Sequence, residues 1–371
     1  MSKSFRSSKD VESFHKELGF NEKFCIAPFT TLQLEPDGKV TACRHKGCEF
    51  PVGNILENTF EEIWNGDFIK KWRSEFLSGT PAICSNEVKN VKCNHCPTYS
   101  SIIDSTEIKI QQTKKPLRLA FNFNGHCNLE CQMCHIWQKP NGLYDQIKFW
   151  DQLDFWIEDL EEVELLSGEP FIQKDTYKLI DVISEKKPET LWTVTTNANW
   201  KLSDFITAKL DKIKLKHIIV SLDSLNPDSY KVIRKKGDLA KALQTLQDLK
   251  KYNQSRIERN LPAFKIIVNF LFQKENWKEL GSVYNFSKTE NVEIFRTMLY
   301  EPVEYSLMTH DERTRIEILE WYFDNLSREQ LINSARIIRP LVDSLNPIDK
   351  FYIYDRYHAI VKPGTVSVEI Y

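Results

Sequence analysis

The chain is expected to be an α/β protein. It should form a partial six-stranded (β/α)6 TIM-like barrel, preceded by a small β-hairpin/helix module and followed by a mainly helical extension. Three observations carry this expectation. From Pro116 onward, strand-like stretches alternate with stretches of helical period, as parallel βαβ units require. Six of the nine cysteines precede residue 97, at 25, 43, 48, 84, 93 and 96, three follow at 127, 131 and 134, and none comes after. Between the two groups, TEIKIQQTKKPLR (106–118) is polar and carries Pro116 near its end, which suits a connection. The expected units are residues 1–110, 111–305 and 306–371.

Within the first unit, TLQLEPDGKVTAC reads as strand–turn–strand with Asp37-Gly38 at the turn. NTFEEIWNGDFIKKWRSEF (58–76) reads as an amphipathic helix pair broken at Gly66. The second unit offers six strands, at 117–124, 163–167, 190–197, 215–223, 263–272 and 292–300. Stretches of helical period at 144–160, 174–187, 203–213, 238–252 and 275–289 lie between them. Residues 309–345 look helical, while FYIYDRYHAIVKPGTVSVEIY has the composition for extended segments without an evident place. In such architectures chemistry gathers in loops at the strand C-terminal ends. Phe121, Asn122, Asn124, Asn269, Arg296 and Tyr300 are substrate-pocket candidates by position, since the inward phase of each strand is not fixed by sequence.

Composition excludes several classes. Over 371 residues the net charge is −2, and the basic stretches KLDKIKLK (209–216) and IRKKG (233–237) are short. A dedicated nucleic-acid binder would carry a basic stripe. No run approaches the ~18 apolar residues of a membrane span, and the N-terminus has no apolar signal core. A cytoplasmic protein is expected, in which cysteines serve metal rather than disulfides.

The stretch HCNLECQMCH places thiols at Cys127, Cys131 and Cys134, directly after the first barrel strand. Thiolates ligate iron–sulfur clusters and structural zinc. Three of them on a four-iron cubane leave one iron open. The spacing C-x3-C-x2-C resembles the signature of the radical S-adenosylmethionine (radical SAM) enzymes, although Met133 stands where an aromatic residue is usual. Downstream, SGEP (Ser167, Gly168, Glu169, Pro170) resembles the family's Gly-Gly-Glu-Pro turn, which holds the SAM amino group, with its first glycine replaced. TTNAN, containing Thr196 and Asn197, and SLDS, containing Ser221 and Asp223, resemble segments that contact the SAM ribose. YKVIRKKG makes Arg234 the expected partner of the SAM carboxylate. The resemblance spans residues 117–300 and implies a SAM-binding [4Fe-4S] cluster on Cys127, Cys131 and Cys134. A zinc site on these thiols with a neighbouring histidine is the competing reading, and it leaves the later motifs unexplained.

The first hundred residues resemble the auxiliary-cluster module called twitch, a short form of the SPASM module, placed before the barrel rather than after it. Four ligands, Cys25, Cys43, Cys93 and Cys96, would complete an auxiliary [4Fe-4S] cluster with no open iron. Cys48 and Cys84 are spares, and zinc on the same thiols is the alternative.

The resemblance implies reductive cleavage of SAM to a 5′-deoxyadenosyl radical that abstracts a substrate hydrogen atom, with electrons from a flavodoxin- or ferredoxin-type donor. A fully ligated second cluster suits outcomes that shed an electron. Modification of a peptide or protein by oxidation, crosslinking or epimerisation is the leading expectation. Dehydrogenation or rearrangement of a sugar-like or nucleotide-like metabolite is the second. A non-catalytic iron–sulfur redox sensor is a third, and it has no use for SGEP, TTNAN and SLDS.

Overall fold

The computed structural model describes residues 25–43, 50–79, 82, 106–147 and 149–361. Its strands are β1 (Thr31–Leu34), β2 (Lys39–Thr41), β3 (Gly53–Asn54), β4 (Arg118–Phe121), β5 (Glu130–Cys131), β6 (Glu162–Leu165), β7 (Leu191–Thr196), β8 (Lys214–Ser221), β9 (Arg234–Lys235), β10 (Lys265–Phe272) and β11 (Glu293–Met298). Nine of them make one sheet in the order β11-β10-β8-β7-β6-β4-β1-β2-β3. From β4 to β11 every neighbouring pair is parallel. Helices Lys174–Lys186, Asp204–Leu210, Leu239–Glu258 and Leu280–Glu290 fill the crossovers. This is the open, six-stranded α/β barrel that the alternation predicts.

The N-terminal hairpin joins that sheet. Strand β1 pairs in parallel with β4, from Thr31 opposite Arg118 to Leu34 opposite Phe121, and so extends the barrel's first edge. At the other edge the helix Ala335–Asp343 packs against β11. Neither barrel edge is left as a bare row of unpaired backbone groups, which would invite aggregation.

Each strand has an apolar face and an open one. Leu119, Phe121, Val163, Leu165, Trp192, Val194, Ile218, Val220, Val268 and Phe270 are buried against the helices. Phe123 continues that face, its ring lying 5.2 Å from Trp150 and 5.8 Å from Phe149 on the helix Phe149–Trp156. The opposite face carries Gln33, Arg118, Asn122, Glu162, Glu164, Thr193, His217, Ser221 and Asn269. It is the concave interior. Strand alternation, which sequence could not phase, thus removes two pocket candidates. Phe121 points at the helices, and Arg296 lies over Tyr284 of the helix Leu280–Glu290, 5.8 Å from the ring centroid.

Local signals explain most boundaries. The hairpin turns at Gly38, whose φ is +82°. Thr59 and Glu62 form a reciprocal capping box on the helix Phe60–Asn65, and Gly66, in extended backbone, separates it from Asp67–Leu77. The side chain of Asp238 accepts the N–H groups of Ala240 and Lys241, starting a helix that runs to Glu258, past the expected 252. The span expected as one helix over 144–160 splits into Leu143–Gln146 and Phe149–Trp156, because Ile147 is extended. Residues 351–361 of the aromatic tail are helical rather than extended, and the rest of it lies outside the described residues. Pro347 opens a helix to Val361, and Tyr354 and Tyr357, one turn apart, pack on the core.

Candidate active site

The loop after β4 is folded back sharply. A Cβ on Gly125 would lie 2.3 Å from the carbonyl oxygen of Ile136 and 2.5 Å from that of Lys139, so only glycine lets the loop close on itself. The three thiols share this loop. Cys127 Sγ accepts the Leu129 N–H (3.4 Å) and the Asn197 side-chain amide (3.5 Å), and Cys134 Sγ accepts the Ile136 N–H (3.4 Å). Cys131, in β5, pairs with Arg234 in β9 and lies 3.8 Å from its Nη1. Met133 is half-buried in the turn joining Cys131 and Cys134. His126 and His135 are exposed.

The SGEP turn is clamped to this loop. Gly168 has φ +53°, and a Cβ there would sit 2.2 Å from the His126 carbonyl oxygen. That carbonyl accepts the Glu169 N–H (3.0 Å) and the Gln173 side-chain amide (2.9 Å). Ser167, where the family pattern has glycine, donates its hydroxyl to the Asn124 carbonyl. The substitution therefore adds a tie between turn and cysteine loop. Pro170 opens a short 3-10 turn.

Glu169 is fully buried and joins the ends of β6 and β7. Its carboxylate accepts the Thr196 hydroxyl (2.7 Å), the Asn197 N–H (2.7 Å) and the Phe171 N–H (3.2 Å). Burial pushes its carboxyl up to about 7 against the pull of those bonds. Asn197 in turn donates to Asn128, whose own amide donates to the Asn199 carbonyl, so the TTNAN segment and the cysteine loop are one network.

Asp223 and Arg234 are a buried ion pair. Asp223 has φ +57°, and its carboxylate accepts Arg234 Nη2 (2.5 Å) and the Leu271 N–H (2.9 Å). Asn276 donates to the Asp223 carbonyl at 2.6 Å and fixes the turn. Ser221 ends β8 opposite Asn269 of β10. Sequence reasoning missed Gln273 and Asn276 beyond β10, because no spacing marks them. Gln273 accepts the Gln132 amide of the cysteine loop at 2.9 Å. Thus Cys127, Cys131, Cys134, Met133, Ser167, Gly168, Glu169, Pro170, Thr196, Asn197, Ser221, Asp223 and Arg234 all lie at the C-terminal mouth of the barrel. Cys25 and Cys43 do not. Cys25 precedes the short helix Ala27–Thr30 that enters β1, and Cys43 follows β2, so both lie toward the N-terminal end of the strands. Cys48, Cys84, Cys93 and Cys96 are outside the described residues.

The mouth fits a cluster and SAM. Burial pushes the Cys127 thiol up and the Cys131 thiol to about 11, a state that metal coordination reverses. Two buried donors, Arg234 Nε and Gln273 Nε2, have no partner among the described residues and await acceptors. When bound, the cluster and SAM supply electron transfer and radical hydrogen abstraction. The protein's residues hold the thiolates, orient the cofactor at the mouth and exclude water.

Residues 121–286 match the radical SAM superfamily, and residues 25–97 match SPASM, an iron–sulfur cluster-binding domain. The chain is 26% identical over 175 residues to the probable GTP 3',8-cyclase of Methanocaldococcus jannaschii, covering 46% of this chain and 54% of that protein. It is 25% identical over 201 residues to the GTP 3',8-cyclase of Petrotoga mobilis, covering 52% and 58%. It thus spans little more than half the length of these curated relatives. Solved structures that resemble it include native anSMEcpe with bound AdoMet and Cp18Cys peptide (TM-score 0.43, 18% identity, 59% of this chain and 61% of that one). Another is Streptococcus suis SuiB bound to the precursor peptide SuiA (TM-score 0.40, 15% identity, 82% and 69%). The barrel segment 121–286 is thus a radical SAM domain and the segment 25–97 before it an iron–sulfur SPASM domain, and the cofactors these domains carry are [4Fe-4S] clusters and S-adenosylmethionine.

Proposed function

We propose that this enzyme uses the SAM-derived 5′-deoxyadenosyl radical to modify a peptide or protein by hydrogen abstraction, with an auxiliary cluster taking up an electron. In this reading Cys127, Cys131 and Cys134 hold the SAM cluster. Cys25, Cys43, Cys93 and Cys96 hold the auxiliary one, and a flavodoxin or ferredoxin supplies electrons. Met133, the SGEP turn, Thr196, Asn197, Ser221, Asp223 and Arg234 form the SAM site.

One observation carries the choice of substrate class. The cations that the barrel strands carry on the open face are each ion-paired, Arg118 with Glu164, Lys214 with Glu189, Lys216 with Glu162 (2.7 Å) and Lys265 with Glu293. A nucleoside triphosphate calls for unpaired arginine or lysine to meet its oxygens. A peptide needs neutral donors and acceptors, which Asn122, Thr193, Ser221 and Asn269 offer. The second reading, a nucleotide-like metabolite, is favoured by the names of the sequence relatives.

The test is deuterium transfer. Reconstituted enzyme, SAM and dithionite are mixed with extract from deuterium-grown cells, split by size, and 5′-deoxyadenosine is weighed by mass spectrometry. Label arriving from the macromolecular fraction, and lost after protease treatment, is the expected result. Label from the small-molecule fraction alone would replace this reading with the metabolite one. Absence of 5′-deoxyadenosine with all iron in place would leave the sensor.

A further inference from the structure

The N-terminal hairpin also brings side chains to the barrel mouth. Because β1 runs parallel to β4, its final residues rise to the same end as the barrel strands' C-termini. Leu32 and Leu34 are buried toward the helices, so Gln33 and Glu35 alternate onto the open face beside Asn122. Glu35 is held from several directions. Its carboxylate Oε1 accepts the Gln33 side-chain amide and, at 3.3 Å, the Asn122 Nδ2. Its backbone carbonyl accepts the Tyr144 hydroxyl (2.7 Å) and the Gly38 N–H (2.9 Å).

Two features of this group point to a ligand. Among the described residues no cation pairs with Glu35, and the nearby Lys139 is engaged by Asp37 at 3.2 Å. Asn122 is 5% exposed, and its Oδ1 has no partner among the described residues. The amide cannot be turned to relieve this, because its Nδ2 must face the carboxylate. Among the described residues, a half-buried carboxylate bound only by neutral amides therefore stands beside a buried carbonyl with no partner. Acceptors of this kind are complemented by a group that is cationic and carries several donors, which describes a primary ammonium.

We propose that Glu35 and Asn122 dock a primary ammonium group of the substrate at the seam between hairpin and barrel. This deepens the peptide reading and rests on it only for the source of the group, a lysine side chain or amino terminus rather than a small free amine.

The probe is butylammonium, followed by saturation-transfer NMR on the full reconstituted chain with SAM bound. Wild type is expected to bind it and to ignore 1-butanol, which has the same alkyl chain without the charge. Glu35→Gln should weaken binding roughly tenfold, as loss of one charge-assisted hydrogen bond implies. Glu317→Gln, an exposed carboxylate on the helix Glu312–Asn325, should bind as wild type does. Equal response to butanol, undiminished binding in Glu35→Gln, or an equal fall in Glu317→Gln would each overturn the proposal. The butanol comparison needs no variant to fold. For the source, a lysine tripeptide with blocked termini should outbind butylammonium. If it binds no better, the ammonium belongs to a small amine. Ammonium binding without deuterium transfer from macromolecules would refute the peptide-modification reading and leave the docking station standing. Transfer without ammonium binding would do the reverse.

Discussion

At the scale of single residues, Glu169 has the most demanding position. It is a fully buried carboxylate that receives donors only, two backbone N–H groups and one hydroxyl. Glu169→Gln would turn a donor toward at least one of them and leave it unsatisfied, at a cost of about 1–3 kcal/mol. The sign of its pH dependence follows from the raised carboxyl. Unfolded, the group titrates near 4.5, and folded at about 7, so its stabilising contribution is complete below 4.5 and lost as pH rises to 7. The difference in unfolding free energy between apo wild type and Glu169→Gln should therefore shrink across that interval, on the order of 3 kcal/mol at most. Denaturant unfolding at closely spaced pH values measures it, and a flat difference would show that the carboxyl is not perturbed. The residue type was legible in sequence because SGEP follows a strand. Its partners were not, since Thr196 and Asn197 meet it only when the ends of neighbouring parallel strands come together.

At the scale of elements, the polar layer low in the barrel is a second place where packing overrides pattern. Arg118 and Glu164 are buried as an ion pair, and Glu162 receives Lys216 from β8. In sequence, these charges interrupt otherwise apolar strands and look like solvent-facing positions. They face the interior of an open barrel. Removing one partner leaves the other charge buried, so Glu164→Ala should cost about 3–5 kcal/mol, while replacing both Arg118 and Glu164 by apolar residues of similar volume should cost far less. Unfolding free energies of the two single variants and the double variant give the coupling directly. Additive losses would mean that the pair is solvated. The six barrel strands were legible from alternation, and the hairpin from Asp37-Gly38. The pairing of β5 with β9 was not. Each is two residues long, too short to show a period, yet together they set Cys131 against Arg234.

At the scale of the whole molecule, the thiols of the two groups that are described are set apart by the sheet itself. Cys127, Cys131 and Cys134 lie beyond the C-terminal ends of the strands, while Cys25 and Cys43 lie toward the N-terminal end of β1. The length of β1 alone separates those levels by roughly 13 Å, at about 3.3 Å per residue. On the proposed ligand set, a cluster held by Cys25 and Cys43 would exchange electrons and not touch a substrate at the mouth. The two positions should then be separable by mutation. Changing Cys25 and Cys43 together to alanine should lower reconstituted iron from about eight to about four per chain, the content of one cubane. It should leave dithionite-driven release of 5′-deoxyadenosine largely intact, while product formation from the true substrate stops. Changing Cys127, Cys131 and Cys134 should remove a similar amount of iron and abolish 5′-deoxyadenosine altogether. If instead the Cys25/Cys43 variant lost SAM cleavage while keeping its SAM-cluster iron, the hairpin would be required at the mouth itself. Its role would then lie in the seam it shares with β4 and not in carrying electrons.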